Sequence, residues 1–245
     1  MTDQTTLDKL LHGRFTIEQP AKGYRIAVDT LLLASSVPAQ ESHHILDLGC
    51  GAGGIMLALA TRLRDTYITG LEIQTKLVTL CKSNIQRNAY DESLDVREGD
   101  ATQLDDSLKE QFDHVVMNPP FHDAARHDSS PNASKRQANT QKTGELEAWI
   151  VSAHQALKEE GVMSMINRAD RQEEIIAKSR ELFGTIYIKP ILGKESSTCK
   201  RIIIRAVKGG DKKIIEKTPF ILHEKNGRYT QAGDAILRDA EAMAF

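Results

Sequence analysis

A chain of 245 residues is long enough to bury a core without disulfide staples, which excludes the small cross-linked scaffolds. Its 40% hydrophobic and 27% charged residues, with 7 Pro and 16 Gly, exclude disordered and collagen-like chains. Lys and Arg number 32 against 34 Asp and Glu, a net charge of -2, so no overall positive field draws polyanions and any nucleic-acid contact must be local.

The first 42 or so residues read as an N-terminal extension, residues 43–207 as the core of a single domain, and residues 208–245 as a C-terminal segment. Along the core, short apolar runs alternate with amphipathic stretches. Strands are predicted over His44–Leu48, Tyr67–Leu71, Asp95–Arg97 and Phe112–Met117, with helices over Ile55–Arg64 and Thr75–Asn88 between them. A helix over Glu145–Lys158, ended by Gly161, leads into a strand at Val162–Ile166. A helix over Arg171–Phe183 and strands at Thr185–Ile191 and Arg201–Val207 follow. This βαβ rhythm predicts an α/β fold with a mostly parallel sheet covered on both faces.

The longest apolar run, Ile55–Ala60, is too short to cross a bilayer, and Met1-Thr2-Asp3-Gln4 lacks the basic and apolar regions of a signal peptide. No membrane association and a cytoplasmic location are expected. Cys50, Cys81 and Cys199 are widely spaced and odd in number, as reduced thiols are. The histidines, among them His43, His44, His154 and His223, show no ligand spacing with carboxylates or thiols, so no metal is expected.

Two segments break the rhythm. His122–Thr143 contains no large apolar side chain, which predicts a long loop of the kind that serves as a lid or binding segment. Arg126, Lys135, Arg136 and Lys142 against Asp123 and Asp128 give it a net charge of +2. Lys194–Lys217 holds eight Lys or Arg against three acids, a net of +5. Such a patch suits RNA phosphates, but Lys200, Arg201, Arg205 and Lys208 suit equally the solvated face and flanks of an edge strand.

Asp47-Leu48-Gly49-Cys50-Gly51-Ala52-Gly53-Gly54 follows a predicted strand and opens a helix, the setting in which a ligand approaches the backbone at a helix N-terminus. Gly49, Gly51 and Gly54 fit the dinucleotide pattern GxGxxG, whereas Asp47 with Gly49, Gly51 and Gly53 fits the D-x-G-x-G-x-G form of S-adenosylmethionine sites. Asp47 favours the second, since a carboxylate repels a pyrophosphate but pairs with the cationic end of an amino-acid-bearing cofactor. Glu72, at the end of the second strand, is positioned to accept both ribose hydroxyls. Asp100-Ala101 follow the third strand, where the carboxylate can hold an adenine amino group or simply cap a turn.

Asn118-Pro119-Pro120-Phe121 directly follows a buried strand, and its two prolines remove two backbone donors and stiffen the chain. A rigid turn explains the prolines but not the residues that flank them. The Asn118 amide oxygen and the Pro119 carbonyl can accept both hydrogens of a planar NH2 group, with Phe121 stacked on the ring that carries it. Such a group is a poor nucleophile because its lone pair is delocalised. Two acceptors draw the nitrogen toward tetrahedral geometry and aim the lone pair at a sulfonium methyl, so the site works by positioning and electrostatics. A nucleobase target must be unpaired or flipped.

The glycine loop, Glu72, Asp100 and NPPF together resemble the class I S-adenosylmethionine-dependent methyltransferases that act on amines. The stretches Gly23–Ala34, Pro219–Glu224, Gly227–Thr230 and Ala235–Arg238 narrow the resemblance to the bacterial tRNA1(Val) (adenine-N6)-methyltransferase family, from about Leu11 to Arg238. The resemblance implies a Rossmann-like fold with a mostly parallel seven-stranded sheet, and tRNA as the partner. It implies that Asp47, Gly49, Gly51, Gly53, Glu72, Asp100, Ala101 and Asn118 bind the cofactor. Asn118, Pro119, Pro120 and Phe121 would form the amine site, and Arg25, His122, Arg136, Lys200 and Arg201 are candidate substrate contacts. Arg25 and Asp29 would close over the methionine end of the cofactor, although Asp29 is equally placed to cap a helix over Thr30–Ser36. The chain departs from the family pattern at Ala138-Asn139-Thr140-Gln141, where an Ala-His-Glu-like stretch is expected. Three other readings stay open: a ribosomal RNA guanine-N2 methyltransferase, a protein glutamine methyltransferase, and a non-catalytic RNA-binding protein on the same fold.

Overall fold

The computed structural model describes residues 4–22, 26, 28–40, 42–63, 65–120 and 145–245. The N-terminal extension begins as a hairpin, β1 (Thr5–Leu10) and β2 (Phe15–Pro20), turned by Leu11, His12 and Gly13 in left-handed backbone. β2 alternates: Phe15, Ile17 and Gln19 are buried while Thr16 and Glu18 are not. The free edge of β2 finds its hydrogen bonds on a helix that comes later in the chain. Helix α1 (Val28–Ser36) is buried over Thr30–Ser36, which explains its nearly continuous apolar run.

The chain then alternates as expected through β3 (His44–Leu48), α2 (Gly54–Arg62), β4 (Tyr67–Glu72), α3 (Thr75–Arg87), β5 (Leu94–Glu98) and β6 (Phe112–Met117). Asn84 and Asn88, one turn apart on α3, supply the missing partners of β2. The Asn84 side chain accepts from Glu18 N–H and donates to Glu18 O, both at 2.8 Å. Asn88 does the same for Thr16, at 2.9 and 2.7 Å. Buried Asn84 also donates to the Ala52 carbonyl of the glycine loop at 3.0 Å, so one amide ties the hairpin to that loop.

After the long segment come α4 (Glu145–Ala156), β7 (Leu157–Arg168), α5 (Gln172–Leu182), β8 (Ile186–Leu192) and β9 (Arg201–Val207). Gly161 does not end α4. The helix stops at Ala156 and β7 starts at once, because Leu157 pairs with Phe112 before the register shifts and Val162 takes His114. Gly161 lies inside that irregular stretch, where a Cβ would come within 2.9 Å of Leu157 Cδ2 and the Lys158 carbonyl. The C-terminal segment adds β10 (Ile214–Glu216), β11 (Phe220–Ile221) and α6 (Gln231–Asp239), whose first turn is capped by Thr230 accepting from Gly233 N–H at 3.0 Å.

The strands lie in the order β10-β8-β9-β7-β6-β3-β4-β5, with β11 also on β8, nine in all. Seven of them have five or more residues and answer to the predicted sheet; short β10 and β11 widen it at β8. β5, β4, β3, β6 and β7 run parallel, while β9 is antiparallel to both of its neighbours. α1, α2 and α3 pack on one face with Ile45, Ile68 and Val96. Leu146, Trp149 and Ile150 of α4 and Ile175 of α5 pack on the other with Leu46, Leu48 and Met163. Burying one such Leu or Ile stabilises the fold by roughly 1.5–3 kcal/mol.

Candidate functional site

The four candidate strand ends fall in one row. Register pairs Asp47 with Gly70 on β4 and with Val116 on β6, which puts Gly49 between Glu72 and Asn118 at the carboxyl edge of the sheet. Gly99 N–H donates to the Glu72 carbonyl at 3.0 Å, so Asp100 stands beside Glu72. Adjacent strands lie about 4.8 Å apart, so the row from Asp100 to Asn118 spans roughly 14 Å.

The loop itself depends on glycine. Gly49, Gly51 and Gly53 have φ of +70°, +58° and +91°, a region that other L-residues adopt only with strain. Gly49 has a second constraint: a Cβ there would lie 2.4 Å from Cη2 of Trp149, whose indole packs against the loop from α4. Backbone N–H groups of Gly49 and Cys50 both donate to the Leu71 carbonyl, at 2.8 and 3.1 Å, and fasten the loop to β4. On the other side, Cys50 and Cys81 pack behind the loop. The Cys50 thiol is pushed well up by its hydrogen bond with Cys81 and by burial, so it stays protonated and unreactive.

The Glu72 carboxylate joins the loop to the next turn. It accepts from Gly51 N–H at 3.0 Å and, through its other oxygen, from Gln74 N–H at 2.9 Å. Burial raises its pKa, and backbone donors from Gln74, Gly51 and Ile73 oppose that rise. With roughly four acceptor positions in all, the carboxylate keeps room for a ligand hydroxyl. Asp47 is 0% exposed, and neither of its carboxylate oxygens has a hydrogen-bond partner among the described residues. Burial, and then the charge of Glu72, push its pKa well above the usual carboxylate range. Two acids gathered beside a backbone cradle without a cation fit a ligand that brings its own positive charge and ribose hydroxyls.

The Asp100 carboxylate accepts from the N–H and hydroxyl of Thr102 at 2.8 and 2.7 Å, so it caps its own turn while staying at the rim. Ala101 is buried beneath it. Asn118 and Pro120 are partly buried and Pro119 is buried, directly after β6. Arg25, Phe121, His122 and Arg136 lie outside the described residues, as does the predicted loop over His122–Thr143.

Asp29 is in the first turn of α1, where its carboxylate accepts from Arg201 Nε at 2.9 Å. Arg201 opens β9, and exposed Lys200 precedes it at the carboxyl edge of the sheet. The basic stretch around them is not one patch. β9 is an interior strand, and at about 3.4 Å per residue it separates Lys200 from Lys208 by more than 20 Å. Lys208 is buried and donates to the Leu157 carbonyl at 2.8 Å, and Lys213 pairs with Asp211 at 2.7 Å. Sequence reasoning missed Asn84, which no motif marks, and the contact of Trp149 with the loop, for which its place on an apolar helix face was the only signal.

Among the described residues no helix is long and apolar enough to cross a membrane, and no His, Cys, Asp and Glu cluster could hold a metal. The family model described as "Methyltransferase small domain" matches residues 24–189. The tRNA1(Val) (adenine(37)-N6)-methyltransferase of Actinobacillus pleuropneumoniae serotype 5b is 28% identical over 222 residues, 89% of this chain and 91% of that one. The protein of the same name from Dickeya chrysanthemi is 24% identical over 98% of both chains. A crystal structure of a predicted O-methyltransferase, Atu636 from Agrobacterium tumefaciens, superposes with a TM-score of 0.74 at 26% identity, covering 88% of this chain and 98% of that one. P. horikoshii TYW2, solved with MeSAdo, shares the fold at a TM-score of 0.58 and 11% identity over 85% of this chain and 73% of that one. The chain belongs to the methyltransferase small domain family and is an S-adenosylmethionine-dependent methyltransferase.

Proposed function

We propose that the protein methylates the exocyclic N6 amine of an unpaired adenine in tRNA. The observation that carries this reading is the position of Asn118-Pro119-Pro120, one strand over from the glycine loop at the carboxyl edge of the sheet. Curated relatives named as tRNA1(Val) (adenine(37)-N6)-methyltransferases, aligned over most of the chain, support the choice of base and of RNA.

When bound, S-adenosylmethionine supplies an electrophilic methyl on a sulfonium sulfur. Asp47 provides a negative charge for the cationic amino-acid end, and the glycines, which lack a Cβ, let that end approach the backbone. Glu72 accepts from the ribose hydroxyls, and Asp100 and Ala101 border the adenine. At the amine, the Asn118 side-chain oxygen and the Pro119 carbonyl each accept one N–H. The nitrogen lone pair then points at the methyl, and one proton leaves to solvent after transfer, without a strong base. Phe121 stacks on the target base and holds it out of the RNA stack. Arg201 and Lys200, at the same edge, face the RNA backbone.

The test is incubation with methyl-labelled S-adenosylmethionine and unmodified tRNA, followed by digestion and identification of the labelled nucleoside. N6-methyladenosine in tRNA is expected. Asn118→Ala should abolish most transfer and leave cofactor affinity within a few-fold. Label recovered as N2-methylguanosine in ribosomal RNA, or in protein, would overturn the substrate assignment, and unchanged turnover in Asn118→Ala would overturn the role of NPPF.

A further inference from the structure

At the opposite end of the sheet a second site is built from residues outside the cofactor and amine sites. On the face that carries α1, Tyr187 of β8 stands directly opposite Arg205 of β9, and Lys189 lies two residues further along β8 on the same face. The helical cover is incomplete at this corner. α1 ends at Ser36, and the last residues of the chain return to it, Met243 N–H donating to the Ser35 carbonyl at 2.8 Å. Between these parts lies a cavity of about 220 Å³, with Pro38, Tyr187, Arg205, Lys217 and Phe245 in its wall.

The wall is cationic and aromatic. The Arg205 guanidinium carbon lies 3.6 Å from the centre of the Phe245 ring, and Lys217 Nζ lies 4.9 Å from that of Tyr187. Lys189 Nζ approaches the other side of this corner, 5.9 Å from the Phe245 ring centre. These contacts orient the cations but do not neutralise them. Among the described residues, none of Lys189, Arg205 and Lys217 has a carboxylate within ion-pairing distance. Arg201 on the same strand does, in Asp29. Arg62 adds charge behind Arg205, its guanidinium held by the Ala34 and Val37 carbonyls at 3.1 and 2.6 Å. Burial, and then the charges of Lys217 and Arg205, hold the Lys189 ammonium below its usual range. Like charges gathered without a counter-ion repel one another and destabilise the fold, and a bound anion removes that repulsion.

We propose that this cavity binds a phosphate group, with Lys217 and Arg205 supplying the charge at its wall and Lys189 reinforcing the field from behind. The cavity is smaller than the roughly 300–1,000 Å³ of sites that enclose a drug-sized ligand, so a phosphate ester enters by its anionic end. It is separate from the methyl-transfer site. Val162, also in its wall, pairs with His114, and His114 precedes Asn118 by four residues, roughly 13 Å along β6. The phosphate therefore belongs either to a distal part of an RNA bound at the other edge or to a free phosphate ester.

The experiment is calorimetric titration of the full chain with inorganic phosphate, at constant ionic strength set by chloride. Saturable one-site binding at about 1 mM or below is expected. Lys217→Gln should weaken it about tenfold, the effect of losing one charge-assisted contact, with the thermal midpoint unchanged. Lys217 follows β10 and its backbone N–H bond to the Ile188 carbonyl does not involve the side chain, so this variant keeps the fold. Arg205→Gln should weaken binding further; because Arg205 also donates to the Ser36 carbonyl, its thermal midpoint is measured alongside. Lys178→Gln, on α5 against the other face of the sheet, where Lys178 pairs with Glu181 at 2.7 Å, should bind phosphate like wild type. Binding that does not saturate, or that is equal in wild type and Lys217→Gln, would overturn the proposal. A second arm separates the sources. Competition between phosphate and tRNA that disappears in Lys217→Gln identifies an RNA phosphate. Phosphate binding with tRNA affinity unaffected by Lys217→Gln identifies a free ester.

Discussion

Gly49→Ala tests the coupling between the glycine loop and α4. Two penalties arise from different causes. Alanine at φ +70° costs about 1–2 kcal/mol, because its Cβ crowds the following carbonyl. The same Cβ lies 2.4 Å from Trp149 Cη2, where ordinary contact begins near 3.4 Å, so the indole must retreat by most of an ångström. Overpacking of this kind costs about 1–3 kcal/mol. Their sum, about 2–5 kcal/mol, lies below the 5–15 kcal/mol of a typical native state, so the variant should fold with its thermal midpoint lowered by roughly 4–20 °C. Trp149→Phe removes the outer indole ring and with it the clash, but leaves the backbone strain. The double variant should therefore regain about 1–3 kcal/mol relative to the sum of the single variants in urea unfolding. Calorimetry with S-adenosylmethionine should show Gly49→Ala binding at least tenfold more weakly, since the loop moves with the ring. Additivity of the two substitutions within about 0.5 kcal/mol would refute the packing argument.

Asp47→Asn should weaken S-adenosylmethionine binding about tenfold or more while stabilising the cofactor-free protein at neutral pH, because it removes a carboxyl group whose ionised form is disfavoured by burial and then by Glu72. With its folded pKa raised, Asp47 contributes stability at low pH that is lost as pH rises from the ordinary carboxylate range through the folded value. Midpoints of wild type and Asp47→Asn, measured against pH, should diverge over that window, and parallel profiles would refute the assignment. His114 has the opposite sign: burial, and the charge of neighbouring His43 at 2.9 Å, lower its pKa to about 4. Its contribution is complete above the usual histidine value and is lost as pH falls toward about 4, up to roughly 3 kcal/mol. Imidazole resonances followed by NMR should show one ring still neutral at pH 5.5, and a ring set in which every histidine titrates near 6.5 would contradict this. Asn84→Ala removes the side-chain bonds to Glu18 and Ala52 and should cost about 2–4 kcal/mol in urea unfolding; a loss below about 1 kcal/mol would show those bonds to be dispensable.

The parallel core was legible because its signals are local. β3 and β6 are buried over Ile45–Leu48 and His114–Met117 and so read as short, mostly apolar runs, and Gly49, Gly51 and Gly53 adopt the backbone that only glycine adopts readily. The acids at the strand ends were legible for the same reason, since an αβ repeat fixes which residue comes last on each strand. What failed depended on long-range pairing. β1 and β2 went unread as strands because they pair only with each other and, along the free edge of β2, with two asparagine side chains on α3 about 70 residues away. Gly161 looked like a helix stop because the shift in pairing between Phe112 and His114 is invisible from β7 alone. The run of basic residues looked like a patch because sequence proximity hides the length of the strand between its ends.

The Asn84 amide bears on how ligand binding reaches the amino terminus. It holds β2 through Glu18 and the glycine loop through Ala52, so neither can loosen without losing a bond to the other. A cofactor that steadies the loop then steadies the hairpin as well, and by thermodynamic reciprocity a frayed hairpin lowers cofactor affinity by the same factor. Amide exchange at Glu18 and Thr16, more than a dozen residues before the first strand of the central sheet, thus becomes a remote gauge of occupancy at the loop.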